Sequence, residues 1–412
     1  MSLLDTSTLL RAVDESDGAF ETRETARRQL AAKAMPTGRE EQWRYIDLDF
    51  ALADFELATS PGEDVGGAPV EGLETAATAS IVDGTVMAAN STVDGLSCSR
   101  VVGGSPSLIS ADQDIFTAAH AAFGPEWVEV RTAAKAAITR PVVIDVTSVT
   151  NSASFPAVRI DVGDGAELTV AIRLISGDDL APLVVPHVEA RLGANANLTV
   201  VIHQEWGRRT RAIGQAVFEV GRDSSLRLAE AGLGGSLARW QLNIKLAGQG
   251  SNAKVIGAYF GDLQQTLDYR YVMHHAAPNT HSDMFLKGAV EDEAGSVFTG
   301  MIRIDEVAQR TDAFQTNRNL ILSEGASAQS VPNLEILAND VKCGHGSTVG
   351  QLDGEQRYYL MSRGLEPARA DRLQVRGFFE EALSRFPIPE MVAPLRERFN
   401  QKFLDAQQEG RL

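Results

Sequence analysis

The run Asp340-Val-Lys-Cys343-Gly-His345-Gly-Ser-Thr348 puts one of only two cysteines two residues from a histidine, between glycines. A thiolate and an imidazole at that spacing can meet one metal ion or one nascent cluster, and they leave its other positions open. Taken alone, the pair is more simply read as a reduced, half-buried cysteine beside a structural histidine, because free cysteines are commonly buried for packing. The flanking sequence reverses that balance. A second candidate is Tyr271-Val-Met-His274-His275-Ala-Ala-Pro-Asn-Thr-His281-Ser-Asp283, three imidazoles close enough to suggest zinc. Pro278 and Asn279 imply an irregular turn there, and adjacent side chains on a strand face opposite ways, so polar partners of a strand-rich core are the expectation. His120, His187 and His203 are isolated in sequence and are read as structural or surface residues.

Other chemistries are missing. No Gly-x-x-x-x-Gly-Lys-Ser/Thr, Gly-x-Ser-x-Gly, Cys-x-x-Cys or His-Glu-x-x-His occurs, so neither nucleotide hydrolysis nor a nucleophile elbow is expected. With 38 Lys+Arg against 55 Asp+Glu, the formal charge of −17 opposes binding to nucleic acid or anionic membrane. Cys98 and Cys343 cannot build a disulfide framework, which suits a reducing compartment. The stretch Met1 to Arg11 carries Asp5 and lacks a basic region followed by an apolar one, and no run reaches the ~18 apolar residues that span a bilayer. A cytoplasmic protein without a membrane anchor is expected.

The elements that would carry the Cys/His run fall into three parts: a helical N-terminal domain over 1–75, a β core over 76–353 and a helical C-terminal domain over 354–412. Thr22 to Met35 is rich in helix formers and stops at Pro36; Trp43-Arg-Tyr45 follows as an aromatic pair docking on the core. From Ser60 to Ser107, short strands and loose linker are equally compatible with the composition. Residues 140–340 alternate apolar and polar, as in Leu168-Thr-Val-Ala-Ile-Arg-Leu174, and predict strands. A turn recurs within them: Val162-Gly-Asp-Gly-Ala-Glu-Leu-Thr-Val170 resembles Leu192-Gly-Ala-Asn-Ala-Asn-Leu-Thr-Val200, with weaker copies from Val220 and Ala247. Its glycines Gly163, Gly193, Gly221 and Gly248 are spaced by 30, 28 and 27 residues. Stacked coils of a β-solenoid give that period, and so does a meander of long hairpins. The solenoid is favoured because the strands are short and the turns lack a hairpin signature. After Asp353 three helices are predicted: one capped by Asp353 and closed by Gly364, one from Pro367 to about Phe386, and one from about Glu390 to Gln408. Leu373, Phe378 and Phe379 exceed what three short helices can bury alone, so a partner or the solenoid end must cover them, and a partner is the assignment.

The stretch from Asp268 to Phe379 closely resembles the SufB/SufD family, the scaffold proteins of the SUF iron–sulfur cluster assembly system. The resemblance rests on His275-Ala-Ala-Pro278, Lys287-Gly288, Phe298-Thr-Gly-Met-Ile-Arg303, Arg310-Thr-Asp-Ala-Phe-Gln-Thr-Asn-Arg-Asn-Leu320, Ser323-Glu-Gly-Ala326, Pro332-Asn-Leu-Glu-Ile336 and Asp340 to Asp353, continued by Tyr359-Leu-Met-Ser-Arg-Gly364 and Gly377-Phe378. It is nearer SufD than SufB, since SufB proteins have His-Glu-Ala-Thr where His345-Gly-Ser-Thr348 stands and commonly carry further N-terminal cysteines. The resemblance implies a right-handed parallel β-helix between helical terminal domains, pairing with SufB through the β-helix, and docking of the ATPase SufC on the C-terminal helices. It maps the family's cluster-site cysteine and histidine onto Cys343 and His345, holding a transient cluster or iron shared with the partner. It also implies a non-catalytic scaffold, and leaves a homodimer of the isolated chain open. The rival reading is a solenoid enzyme or binding protein for an extended polymer, with His275, His281, Asp283 and Asp305 as acid/base groups; no paired carboxylates support it.

Overall fold

A computed structural model of the chain describes residues 11–408, apart from 65, 68, 69 and 105. Met1 to Leu10, with most of the N-terminal stretch examined for a leader, lie outside the described residues, as do 409–412.

The chain coils into two sheets of ten and eleven strands. One sheet stacks Val142–Ser148, Glu167–Ser176, Asn197–Trp206, Ser225–Gly234, Asn252–Gly261, His281–Val290, Asp312–Ile321 and Lys342–Gly350, each parallel to the next. The other stacks Glu126–Thr132, Ala157–Val162, His187–Leu192, Arg211–Val220, Leu237–Leu246, Thr266–His275, Gly295–Ile304 and Ser327–Ile336 in the same way. Consecutive strands alternate between the sheets, which is a β-solenoid and not a meander. Alternation on each strand sends Ile144, Ile172, Val200, Leu228 and Val255 into one continuous interior.

The recurring glycines sit at one corner of successive coils. The amide of Gly193 donates to Val162 O at 2.8 Å, and that of Gly221 to Leu192 O at 3.1 Å. A Cβ on Gly221 would lie 2.5 Å from Leu192 O, so coil-on-coil approach, not an unusual φ, demands glycine there. Two residues further on, Gly165, Asn195, Asp223, Gly250, Asn279 and Arg310 all adopt positive φ, closing the same turn in each coil.

At the N-terminal end the stretch that was open between strands and linker, Ser60 to Ser107, forms strands from Ala77 on, and none among its described residues before that. Ala77–Val82 pairs antiparallel with Thr85–Ser91 and parallel with Val142–Ser148, while Leu96–Val102 runs antiparallel to Glu126–Thr132. The first helix, α1 (Asp17–Leu30), begins and ends about five residues earlier than predicted. Ser16 caps it, and its packed face of Arg23, Ala26 and Leu30 is exhausted there. The pattern also missed α2 (Ile115–Phe123), an apolar helix capped by Asp114, whose carboxylate accepts from the Phe116 and Thr117 amides. Trp43 is buried with the Arg239 guanidinium 3.9 Å above its ring, whereas Tyr45 is exposed, so only one ring of that pair docks.

The C-terminal helices are α3 (Gly354–Ser362), α4 (Pro367–Leu383) and α5 (Pro389–Gln408). Asp353 and Pro367 occupy the predicted cap and first-turn positions; Pro389 opens α5 instead of separating it. Helices α4 and α5 lie on the outer flank of the first sheet, where Val375, Phe379, Leu383, Phe386, Leu395 and Phe399 pack on Ala229, Phe260, Phe285 and Ala289. No residue of α3 is buried.

Candidate functional site

Cys343 and His345 lie on the strand Lys342–Gly350. It pairs in register with Asp312–Ile321, placing Cys343 opposite Ala313, His345 opposite Gln315 and Ser347 opposite Asn317. Those three partners are buried residues of the interior, so Cys343 and His345 face the same way, inward, at the last layer of the solenoid. The outward positions between them are Gly344 and Gly346. A Cβ on Gly344 would approach the Phe314 ring to 2.9 Å, so this glycine lets an exposed aromatic lie flat against the strand.

Nothing covers this layer among the described residues. Lys342–Gly350 and Ser327–Ile336 are the terminal strands of their sheets, each with one unpaired edge. Leu334, Ile336, Leu337 and Val349 are exposed around them. Such edges are templates for another chain. Cys343 is half-buried, and desolvation raises its thiol pKa; His345 is exposed. No group of three or more His, Cys, Asp or Glu side chains placed to hold a metal ion occurs among the described residues, so Cys343 and His345 do not form a complete ligand set by themselves. Cys98 is buried, and burial pushes its thiol up to about 11.

The other histidine groups resolve differently. His275 points into the interior, where its ring nitrogens meet the Thr280 and Ser282 hydroxyls at 2.8 and 2.9 Å; burial, then His274 and His281, lowers its pKa to about 3. His281 is exposed on the following strand and His274 bonds Asp305 at 2.8 Å, so neither the zinc site nor the acid/base set of the polymer-enzyme reading converges. His120 and His187, isolated in sequence, stack face to face at 3.6 Å in the buried N-terminal region. Burial lowers His120 to about 4, and His187 shifts in the same direction.

Of the three residues assigned to a partner, Phe379 is 2% exposed, wedged between Phe260 and Phe399. The assignment fails for it, because the solenoid flank covers the apolar stripe of α4 that was expected to need a second protein. Leu373 lies off that stripe and is 48% exposed, as Tyr358, Tyr359 and Met361 of α3 are also exposed; Phe378 is half-buried.

Two features escaped sequence reasoning. Lys287, 3% exposed on an apolar strand, pairs with Glu381 of α4, and its ammonium lies 4.2 Å from the Phe378 ring. The signal was a lone lysine in Met284-Phe-Leu-Lys-Gly-Ala-Val290. Inside the solenoid, Glu230 accepts from Tyr271 Oη and Gln204 Nε2, and burial raises its carboxyl to about 8. Its signal was a glutamate continuing the inward series Leu226, Leu228.

Fold and site together define a β-solenoid that presents a cysteine and a histidine side by side at an unpaired end and carries helices strapped to its flank. The model of the family "SUF system FeS cluster assembly, SufBD core domain" matches residues 145–378, more than half of the chain. The chain belongs to this family. An iron–sulfur cluster assembly SufBD family protein of Mycobacterium tuberculosis is 38% identical over 213 residues, 50% of this chain and 54% of the relative. The iron–sulfur cluster assembly protein SufD of Escherichia coli is 29% identical over 222 residues, 54% and 52% of the respective chains. A SufBD family protein of Synechocystis is 31% identical over 209 residues, 51% and 46%. The chain thus spans about half the length of the curated relatives it matches.

Proposed function

We propose that this chain is a SufD-type, non-catalytic scaffold subunit that pairs end-on with a SufB-type partner. Between the two, a nascent iron–sulfur cluster or iron is held as cargo. The observation that carries the reading is the shared inward orientation of Cys343 and His345 on a strand whose outer edge is unpaired. Iron–sulfur clusters take about four protein ligands, so two from this chain leave the rest to the partner. Edge-strand addition would bring the partner's ligands to the same layer.

A SufC-type ATPase docks, in this reading, on α3 and the adjoining face of α4. Support comes from Tyr358, 76% exposed, with Tyr359, Met361 and Leu373 also exposed and no α3 residue buried. Aromatic anchors of this kind dominate interface energetics. The two free cysteines support a reducing, cytoplasmic setting; no helix among the described residues is long and apolar enough to cross a membrane.

The test is anaerobic co-expression with SufB-type and SufC-type partners, followed by iron and sulfide analysis of the purified complex. His345→Ala and Cys343→Ala each lower cluster content without altering the melting of this chain. Unchanged content in the double variant would refute the ligand roles.

A further inference from the structure

One layer below the ligand strand, the interior holds an amide with nothing to bind. Gln315 is 1% exposed, and neither its Nε2 nor its Oε1 has a hydrogen-bond partner among the described residues. Its strand position is in register with His345 and two residues from that of Cys343. The side chain extends across the interior toward the opposite sheet: a Cβ on Gly300 would lie 2.4 Å from Gln315 Oε1, so the glycine there makes room for the amide. On the last strand of that opposite sheet, the Ser330 hydroxyl is also buried and unpartnered.

The other inward amides of this strand are satisfied. Asn319 Nδ2 donates to Asn317 Oδ1 at 2.6 Å, Asn317 Nδ2 donates to Tyr259 Oη at 3.3 Å, and Tyr259 Oη donates to Asn319 Oδ1. On this strand the unmet amide is that of Gln315, next to the strand of Cys343 and His345; further down the stack Trp240, Tyr269 and Ser296 also keep buried donors without a partner among the described residues. One coil further in, the residue in register with Gln315 is Met284, so this column accepts an apolar side chain of the same length. A buried amide left unsatisfied costs on the order of 1–3 kcal/mol relative to its solvated or paired state. Packing alone gives no reason to keep it.

We infer that Gln315 is a positioning residue for anionic sulfur: its N–H groups donate to the Cys343 thiolate or to a sulfide of the cargo beside it, with the Ser330 hydroxyl a second donor from the facing wall. The inference rests on the reading of Cys343 and His345 as cargo ligands. Sulfur is the acceptor that reading brings into an otherwise closed layer, and hydrogen bonds to cluster sulfurs tune and retain clusters.

The test uses Gln315→Met in the complete complex, loaded anaerobically with ferrous iron and sulfide. Resonance Raman should show shifted Fe–S stretching bands, and a ferrous chelator should strip the iron about tenfold faster than from the parent complex. The unloaded chain should melt at or above the parent temperature, because an unmet amide has been removed. The Raman bands decide: a shift supports the inference, and unchanged bands overturn it. If Gln315→Met does not assemble, Ser330→Ala at the more open strand is read in the same way. Cys343→Ala and His345→Ala run in parallel separate the two ideas. If they leave cluster content unchanged, the ligand reading itself falls. If they reduce it while Gln315→Met alters neither bands nor stripping, only this inference fails.

Discussion

The Lys287–Glu381 pair is one of the polar fastenings between solenoid and helices, beside Lys402–Asp262 and Arg398–Glu205, and its two halves should not be equivalent. Lys287 is almost fully buried, and desolvation, opposed by Glu381, lowers its pKa. Glu381 is partly exposed, and its carboxyl is held below the ordinary range first by the Lys287 hydrogen bond. Glu381→Gln leaves an ammonium stranded in a dry site with Arg318 and Arg385 nearby. Lys287→Met leaves a carboxylate in reach of water, still 3.4 Å from Arg385 and 3.8 Å from Arg318. Breaking a fully buried pair costs about 3–5 kcal/mol, and solvent screening at Glu381 brings this to about 2 kcal/mol for Glu381→Gln. Lys287→Met should cost less than about 1 kcal/mol, because its stem packs on Phe378 and methionine preserves that contact. Urea midpoints of the two variants and the double variant measure the asymmetry, and native-state hydrogen exchange in α4 locates it. The Glu381 contribution is present above its unfolded pKa of about 4.3 and is lost as pH falls through the lowered folded value. The gap between parent and Glu381→Gln should therefore close in acid. Equal losses, or a larger loss for Lys287→Met, would refute the reasoning.

Other outcomes follow from the same structure. Glu230 keeps its proton to about pH 8 when folded and loses it near pH 4.3 when unfolded, so between those values stability falls as pH rises; Glu230→Gln should flatten that slope, gaining at least about 1 kcal/mol near pH 8 in thermal melts. Gly221→Ala drives a methyl into the Leu192 carbonyl of the preceding coil and should cost about 1–3 kcal/mol by urea titration, against little for Gly354→Ala, which meets nothing. Tyr358→Ala with Tyr359→Ala should leave the melting temperature of the isolated chain unchanged, since both rings are exposed, while abolishing co-purification with the ATPase. Retention of the ATPase by that variant would place its docking surface elsewhere.

Much of this fold could be read from the chain because its repeating unit repeats in sequence. The glycine corners are spaced by one coil, and strands such as Leu168 to Leu174 alternate as a buried sheet must. The pairing of Cys343 with His345 was legible for a similar reason, since residues two apart on an extended segment share a face. The N-terminal antiparallel strands were not legible, because they end the repeat and obey no period. Helix α2 hid because it is short and buried on nearly every side, Thr117 and His120 included, so no exposed polar face marks it out. Phe379 was misassigned because adjacent Phe378 and Phe379 were counted together. The stripe Val375, Phe379, Ala382, Leu383, Phe386 follows the helical period and excludes Leu373. Gln315 could not be foreseen at all, because an inward glutamine looks like any other member of its alternating strand until its missing partners are counted.

A stack in which each coil touches only the coils beside it behaves as a one-dimensional lattice, and a lattice is weakest at its ends. Lys342–Gly350 has a neighbour on one side only, while the strand three coils back is clamped beneath α4. Amide protons should therefore exchange slowest in mid-stack and fastest on the strand that bears the ligands. Arrival of a second edge would convert this frayed terminus into an internal layer. In the proposed pairing, occupancy of the site and order of the strand that forms it would then rise together, and release of the cargo by separating the two proteins would leave a strand that is loose again.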